Sequence, residues 1–200
     1  MDEEGRCALC RRGLHGFDAA YSFGFYEGEL RELIHLFKYE RVQPLARPLG
    51  RLLSQALPRD RAFDVIVPMP LHWRKRWQRG FNQSELLARD LGRRTNIRVK
   101  NALRRVRFTV AQAGLTNAKR RLNVSGAFRP RKKGALAGLR VLLIDDVMTT
   151  GATAASCARA LKMAGAREVT LLTLARADRR MGIDPALWNL PGSSEYAKSG

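Results

Sequence analysis

The sequence predicts an α/β fold with a central, mostly parallel sheet flanked by helices, and three observations predict it. Phe63-Asp64-Val65-Ile66-Val67, Val141-Leu142-Leu143-Ile144 and Val169 to Leu174 are short apolar runs, as expected of strands covered on both faces. Between them lie segments whose apolar residues recur at helical spacing. The third observation is the stretch Val141 to Thr153, where a buried strand delivers Asp145 and Asp146 and then the turn Thr149-Thr150-Gly151-Ala152-Thr153. Open α/β sheets bind ligands beyond the carboxyl ends of their strands, and the acids and the turn fall there.

The turn leads into a helix, so backbone N–H groups and hydroxyls converge at the positive end of the helix dipole, an arrangement suited to a phosphate. Carboxylates one step from a phosphate nest repel the phosphate itself, so the acids need a different part of the same ligand. A ribose 5-phosphate supplies both parts: ring hydroxyls for Asp145 and Asp146, and a phosphate for Val147-Met148-Thr149-Thr150-Gly151-Ala152-Thr153. Paired acids after a hydrophobic strand also open receiver domains, but there they lie on the first strand of a domain of about a hundred residues or more. Too little chain follows Asp146 for that. A strand whose acid caps the next helix explains one carboxylate and leaves the other, with the Thr/Gly turn, unexplained.

Along the chain, Ala20 to Tyr26 reads as a strand, with Gly28 as a turn. Leu30, Leu33, Ile34 and Phe37 then mark one face of a helix. His35 reads as a surface or half-buried structural residue, and Lys38 as a lysine that lays its stem on apolar surface and keeps its head in water. Pro44 and Pro48 delay the next helix, whose stripe is Leu49, Leu52, Leu53, Ala56 and Leu57 and which Pro58 stops. Pro68-Met69-Pro70-Leu71 breaks the strand before it. The two prolines lack N–H groups, which leaves Met69 and Leu71 as backbone donors. His72 to Arg79 then packs four cations and two tryptophans together. That composition fits a diphosphate clamp and equally a nucleic-acid surface, where cations hold phosphates and aromatics stack on bases.

Asn82 and Glu85 are spaced as a capping box for a helix that buries Leu86, Leu87 and Leu91. Asn96 to Val99 suits a short strand. Arg104 to Asn123 is polar, basic and without period, the mark of a functional or disordered loop. Arg129-Pro130-Arg131-Lys132-Lys133-Gly134 reads as a solvated basic turn. Cys157, Ala160, Leu161 and Ala164 share a helical face that Gly165 ends, which makes Cys157 a small core residue and no nucleophile. From Asp178 onward the pattern is lost.

The chain of 200 residues is long enough for one substantial core. The boundaries expected are a leader over 1–19, a main domain over 20–178 and a tail over 179–200. A formal charge of +19 speaks to partners: it attracts the phosphates of a small ligand or of a nucleic-acid backbone, or is simply a solvated surface. The start Met1-Asp2-Glu3-Glu4 is acidic and no long apolar run follows, so neither a signal peptide nor membrane insertion is expected and the location expected is cytoplasmic. Three cysteines do not describe a disulfide framework. Cys7-Ala8-Leu9-Cys10 has the spacing of half a zinc site, with His15 the nearest further ligand; the other reading is a pair of free thiols.

Val141 to Thr153 resembles the phosphoribosyl-diphosphate motif of type I phosphoribosyltransferases: a hydrophobic strand, two acids and T-T-G-x-T. The wider chain resembles the ComF family, competence-associated proteins on that fold, through Gly28 to His35 with Lys38-Tyr39, Val67-Pro68-Met69-Pro70, Arg79-Gly80-Phe81-Asn82-Gln83, and Gln112 to Asn123. The resemblance implies a small hood before Asp64 and a flexible loop that closes over the diphosphate, with Gln112, Leu115 and Asn123 in its pattern and Arg120 or Arg121 as the charge arriving on closure. It implies a diphosphate loop at Met69, Pro70 and Leu71 with Arg79 nearby, and catalytic roles for Asp145 and Asp146; it also allows Lys38, of the Lys-Tyr pair, to face the ligand as the alternative to a lysine with its head in water. Phosphoribosyl diphosphate with Mg²⁺ is the implied ligand; single-stranded DNA, a competence helicase and a second copy of the chain are the implied partners. It also suggests that Cys7 and Cys10 are the surviving pair of a zinc ribbon.

Overall fold

The three apolar runs become neighbouring strands of a four-stranded parallel sheet, two of them in its middle and the Phe63 to Val67 run at its edge. The computed structural model describes residues 16–73, 77, 79–106 and 126–177. Its strands are β1 (Ala19–Phe25), β2 (Val65–Pro68), β3 (Leu103–Arg105), β4 (Phe128–Pro130), β5 (Arg140–Met148) and β6 (Glu168–Arg176). The parallel sheet runs β1-β6-β5-β2, and β3 pairs antiparallel with β4 in a separate ribbon. The helices are α1 (Gly28–Tyr39), α2 (Ala46–Gln55), α3 (Gln83–Thr95) and α4 (Ala152–Met163), with a 3₁₀ turn over Gln43–Leu45.

Because side chains alternate along a strand, the apolar runs feed two cores at once. Val65, Val67, Val141, Leu143, Val169 and Leu171 pack towards α4, while Ile66, Leu142, Ile144, Leu172 and Leu174 pack towards α1, α2 and α3. Leu142, Leu143 and Ile144 are all fully buried, each contributing about 1.5–3 kcal/mol. Residues before Asp64 supply β1, α1 and α2, and Phe17 is already buried in the α4-side core. The α2–α3 contact needs Gly50: a Cβ there would stand 2.2 Å from Asp90 Oδ2. Asp90 is itself buried and paired with Arg94 at 2.5 Å.

This arrangement opens a crevice at one end of the sheet. The helix after β2 lies on one face and the helix after its neighbour β5 on the other, so the connections diverge beyond the strand ends. β2 stops where Pro68 faces Ile144, whereas β5 continues to Met148 with Arg176 as its last partner. Asp145 and Asp146 therefore lie inside the strand, one neighbour short, and not in the loop after it.

Several local expectations are corrected. Asn96 to Val99 forms no strand of its own; Asn96 ends α3 in a left-handed conformation and Val99 makes an isolated parallel bridge to Ile66. Arg104 and Arg105 belong to β3, not to an irregular stretch, and Arg129 and Pro130 belong to β4, not to a basic turn. Both are short strands that pair only with each other, so neither carries a period long enough to read. No helix among the described residues is long and apolar enough to cross a membrane.

Candidate functional site

The site is built where β5 runs past the end of β2. Two β residues in succession point to opposite faces, and the acid pair divides accordingly. Asp145 lines a hollow with Val147 to Thr149 and Gly151 to Ala154, and Leu171 and Thr173 of β6 form its floor. Its Oδ1 accepts from the Ser84 hydroxyl at 3.0 Å and from the Asp146 N–H at 2.9 Å. Asp146 is 8% exposed and its carboxylate meets Lys38 Nζ at 2.8 Å. The expectation that Lys38 keeps its head in water is therefore corrected. Its ammonium is buried on a carboxylate that a sequence reading cannot pair with it.

Burial first, and the Asp146 carboxylate second, push the Asp145 carboxyl up to about 7. Lys38, the Asp146 amide and Ser84 oppose the shift without cancelling it. Burial works against the Lys38 charge, but the Coulombic pull and hydrogen bond of Asp146 outweigh it and hold Lys38 above its ordinary value.

The turn after β5 is shaped to receive an anion. Gly151 is the N-cap of α4 with φ +71, a conformation glycine adopts without strain. The first helical bond is Ala155 N–H to the Gly151 carbonyl at 2.8 Å, so the N–H groups of Thr153 and Ala154 have no acceptor within the helix. Thr150 Oγ1 accepts from Ala152 N–H at 3.2 Å, which braces the turn and leaves the hydroxyl proton to donate outward.

On the other side of the crevice, Met69 is 5% exposed and its amide donates to the Ile144 carbonyl at 2.9 Å. This corrects the expectation of two free backbone donors: the sheet uses Met69's, and Leu71 remains. Asn82 does sit at the N-cap of α3, but the capping box is not made. Its side chain donates instead to the Met69 carbonyl at 3.0 Å, tying α3 to the loop after β2. Arg79 Nη1 reaches Gln83 Oε1 at 3.2 Å, and its guanidinium lies 5.1 Å from the Tyr39 ring.

The structure thus brings Asp145, the turn from Val147 to Thr153 and the loop from Met69 to Leu71 to one end of the sheet. Gln112, Leu115, Arg120, Arg121 and Asn123 lie outside the described residues, as do Cys7, Cys10 and His15. Sequence reasoning missed Ser84, which holds Asp145, and missed the partner of Lys38, whose ammonium holds Asp146. Ser84's place two residues after the N-cap Asn82 was the only available signal. Cys157 is fully buried in the core as expected, and burial pushes its thiol well above the ordinary range.

A family model, the phosphoribosyl transferase domain, matches residues 83–186. Competence protein F of Haemophilus influenzae is 34% identical over 180 residues, which cover 86% of this chain and 78% of that one. The chain belongs to the ComF family. Another relative of this ComF chain is DNA utilization protein YhgH of Escherichia coli K12, 33% identical over 85% of the chain and 77% of the relative. Competence protein ComFC of Bacillus subtilis is 32% identical over 76% and 61%. Its fold is that of the type I phosphoribosyltransferases, as the family match and the parallel sheet together show. Among solved structures, adenine phosphoribosyltransferase superposes over 74% of the ComF chain and 78% of its own, with 18% identity and a TM-score of 0.43. The glutamine phosphoribosylpyrophosphate amidotransferase of B. subtilis, complexed with ADP and GMP, superposes over 63%, with 23% identity and a TM-score of 0.43. The ComF chain spans 25% of that amidotransferase's length.

Proposed function

We propose that this protein binds phosphoribosyl diphosphate with Mg²⁺ and transfers its phosphoribosyl group to an acceptor, in the handling of DNA taken up by the cell. One observation carries the binding reading: Asp145 lines one hollow with Thr149, Gly151, Ala152 and Thr153 of the turn at the carboxyl end of the central strand. The turn would take the 5-phosphate through N–H groups and hydroxyls, and Asp145 would accept from a ring hydroxyl. The link to DNA follows from the names of the relatives, Competence protein F and DNA utilization protein YhgH.

In the reaction, the bond from the anomeric carbon to the diphosphate oxygen breaks, its electrons leave with the diphosphate, and the acceptor's lone pair forms the new bond as the acceptor loses its proton. Positive charge grows on the sugar ring at that point. A preformed carboxylate close to the ring stabilises it without reorganising. Asp145 supplies that charge when ionised, held in place by Ser84 and by the Asp146 amide. The Leu71 amide and Arg79 would meet the departing diphosphate, and the family resemblance gives Arg120 or Arg121 as a further charge for it.

The donor set fits a magnesium ion held through the ligand. Among the described residues no three His, Cys, Asp or Glu side chains gather as a metal cage. An ion bound by the ligand's own oxygens and by water is the usual arrangement for Mg²⁺ on phosphates. When bound it would neutralise charge on the leaving diphosphate.

Calorimetric titration with phosphoribosyl diphosphate and Mg²⁺ tests the reading. Saturable binding by the native protein, abolished in Asp145→Asn/Asp146→Asn and weakened in Thr150→Val, is the result expected. Native affinity in the double variant would refute the assignment.

A second reading is a catalytically inactive phosphoribosyl-binding fold that holds single-stranded DNA on a basic face. The exposed aromatics favour it: Trp73 is 66% exposed, Trp77 87% and Tyr39 51%. His35 packs on Tyr39 at 4.7 Å and Arg79 covers the same ring. Such a surface stacks bases and pairs phosphates. DNA binding that falls steeply with salt and survives Asp146→Asn would support this reading. DNA binding lost with the phosphoribosyl site would count against it.

A further inference from the structure

Asp145 and Asp146 read as one unit in the sequence, yet their surroundings differ in kind. Asp145 faces the hollow and is held by neutral donors, Ser84 and a backbone amide. Asp146 meets Lys38 of α1 and is held by that cation, with the Lys38 and Asp146 side chains only 14% and 11% exposed. An ammonium and a carboxylate so far from water are costly to separate, because removing one leaves the other uncompensated. The cation arrives from α1, at the far end of the chain from β5.

The last turn of α1 reaches the crevice twice. Lys38 holds Asp146, and the next residue, Tyr39, lies under the Arg79 guanidinium. The charged and titratable groups around the acid pair can be counted from every side among the described residues. They are Lys38 on α1, Tyr26 just before α1, Arg105 on β3 and Cys157 on α4. Burial keeps Tyr26 and Cys157 neutral at ordinary pH. Two cations therefore act on the pair unequally: Lys38 is in direct contact with Asp146, whereas Arg105 acts on Asp145 only at longer range and leaves it without a contacting cation among the described residues.

We propose that Lys38 is a positioning residue of the ligand site: by binding the Asp146 carboxylate it reduces the acid pair to one uncompensated charge and leaves Asp145 as the carboxylate offered to the ligand. The proposal rests on the phosphoribosyl reading and adds to it a residue from the amino-terminal part of the chain. Its logic is electrostatic. A ligand carrying several phosphates that approached two bare carboxylates would be repelled by both, and a buried carboxylate beside a second one ionises less readily. Lys38 removes both penalties without occupying the hollow.

The test compares native protein with Lys38→Met, Lys38→Arg and Lys38→Met/Asp146→Asn. Affinity for phosphoribosyl diphosphate with Mg²⁺ is measured by calorimetry, and the Asp145 carboxyl is titrated by carbon-13 NMR without ligand. Lys38→Met should weaken binding about tenfold at neutral pH and raise the Asp145 midpoint by about one pH unit. Lys38→Arg should restore affinity to within about threefold of native and return the midpoint, since it keeps the charge. The double variant removes both charges and should return the midpoint close to native, the signature of a coupled pair. Native affinity and midpoint in Lys38→Met would overturn the proposal, as would a Lys38→Arg protein no better than Lys38→Met. If Lys38→Met does not fold, Asp146→Asn is compared with Lys38→Met/Asp146→Asn. The Asp145 midpoint should be lower where Lys38 remains, and equal midpoints reject its role. Failure of every protein, native included, to bind the phosphoribosyl ligand would sink the ligand reading while the ligand-free titration still judges Lys38.

Discussion

Asp145→Asn should make this protein more stable above neutral pH while it disables the ligand site. The Asp145 carboxyl is pushed from its ordinary value of 3.8 up to about 7 by burial and by Asp146. The folded state therefore holds the proton more tightly than the unfolded chain. Its contribution is fully present below about pH 3.8 and is lost as pH rises through about 7, beyond which the fold carries a disfavoured charge. The gap sets an upper bound of about 4 kcal/mol on that cost, and water reaching the hollow reduces it to about 2 kcal/mol. Asparagine keeps an oxygen to accept from Ser84 and from the Asp146 amide, and carries no charge. For a chain of this size the gain corresponds to a Tm higher by about 4–8 °C at pH 8, shrinking towards zero near pH 4. Thermal denaturation of both proteins across that range checks it. Equal Tm values at pH 8, or a larger gain in acid than in base, would refute the reasoning.

Three further outcomes are expected. Gly50→Ala should cost about 2 kcal/mol in a denaturant titration, because its Cβ would meet the Asp90 carboxylate at 2.2 Å; an unchanged midpoint would mean that α2 and α3 are not in the contact described. Asn82→Ala should cost about 1–3 kcal/mol by leaving the buried Met69 carbonyl without its side-chain donor, and it should weaken diphosphate-bearing ligands more than ribose 5-phosphate in parallel titrations. Cys157, fully buried and with its thiol pushed well up, should resist alkylation in the native protein and react once the protein is unfolded, as read by mass spectrometry of the modified peptide.

Much of the fold was legible because its central strands are covered on both faces. Val141 to Ile144 and Val169 to Leu174 leave no polar face to mistake, and Pro68 and Pro70 end β2 abruptly. The turn into α4 was legible for a different reason: the glycine of T-T-G-x-T permits the left-handed N-cap with which that helix starts. What escaped was whatever depends on a partner distant in sequence. The Met69 amide looks free until Ile144 is placed beside it, and Asn82 looks like a capping residue until the Met69 carbonyl competes for its side chain. Lys38 looks like any amphipathic lysine until α1 is laid over the carboxyl end of β5. The length of β5 was missed because β6 continues beside it to Arg176 after β2 has ended, so that two acids are carried within a strand. β3 and β4 were missed because three residues each give no period.

The central claim is that one strand-to-helix crossing grips a sugar and its phosphate together, and a crystal structure with phosphoribosyl diphosphate and Mg²⁺ tests it most directly. The 5-phosphate is expected against the Thr149–Thr153 turn, with a ribose hydroxyl on Asp145 and Lys38 still on Asp146. A 5-phosphate bound elsewhere, or a ribose facing away from Asp145, would contradict it.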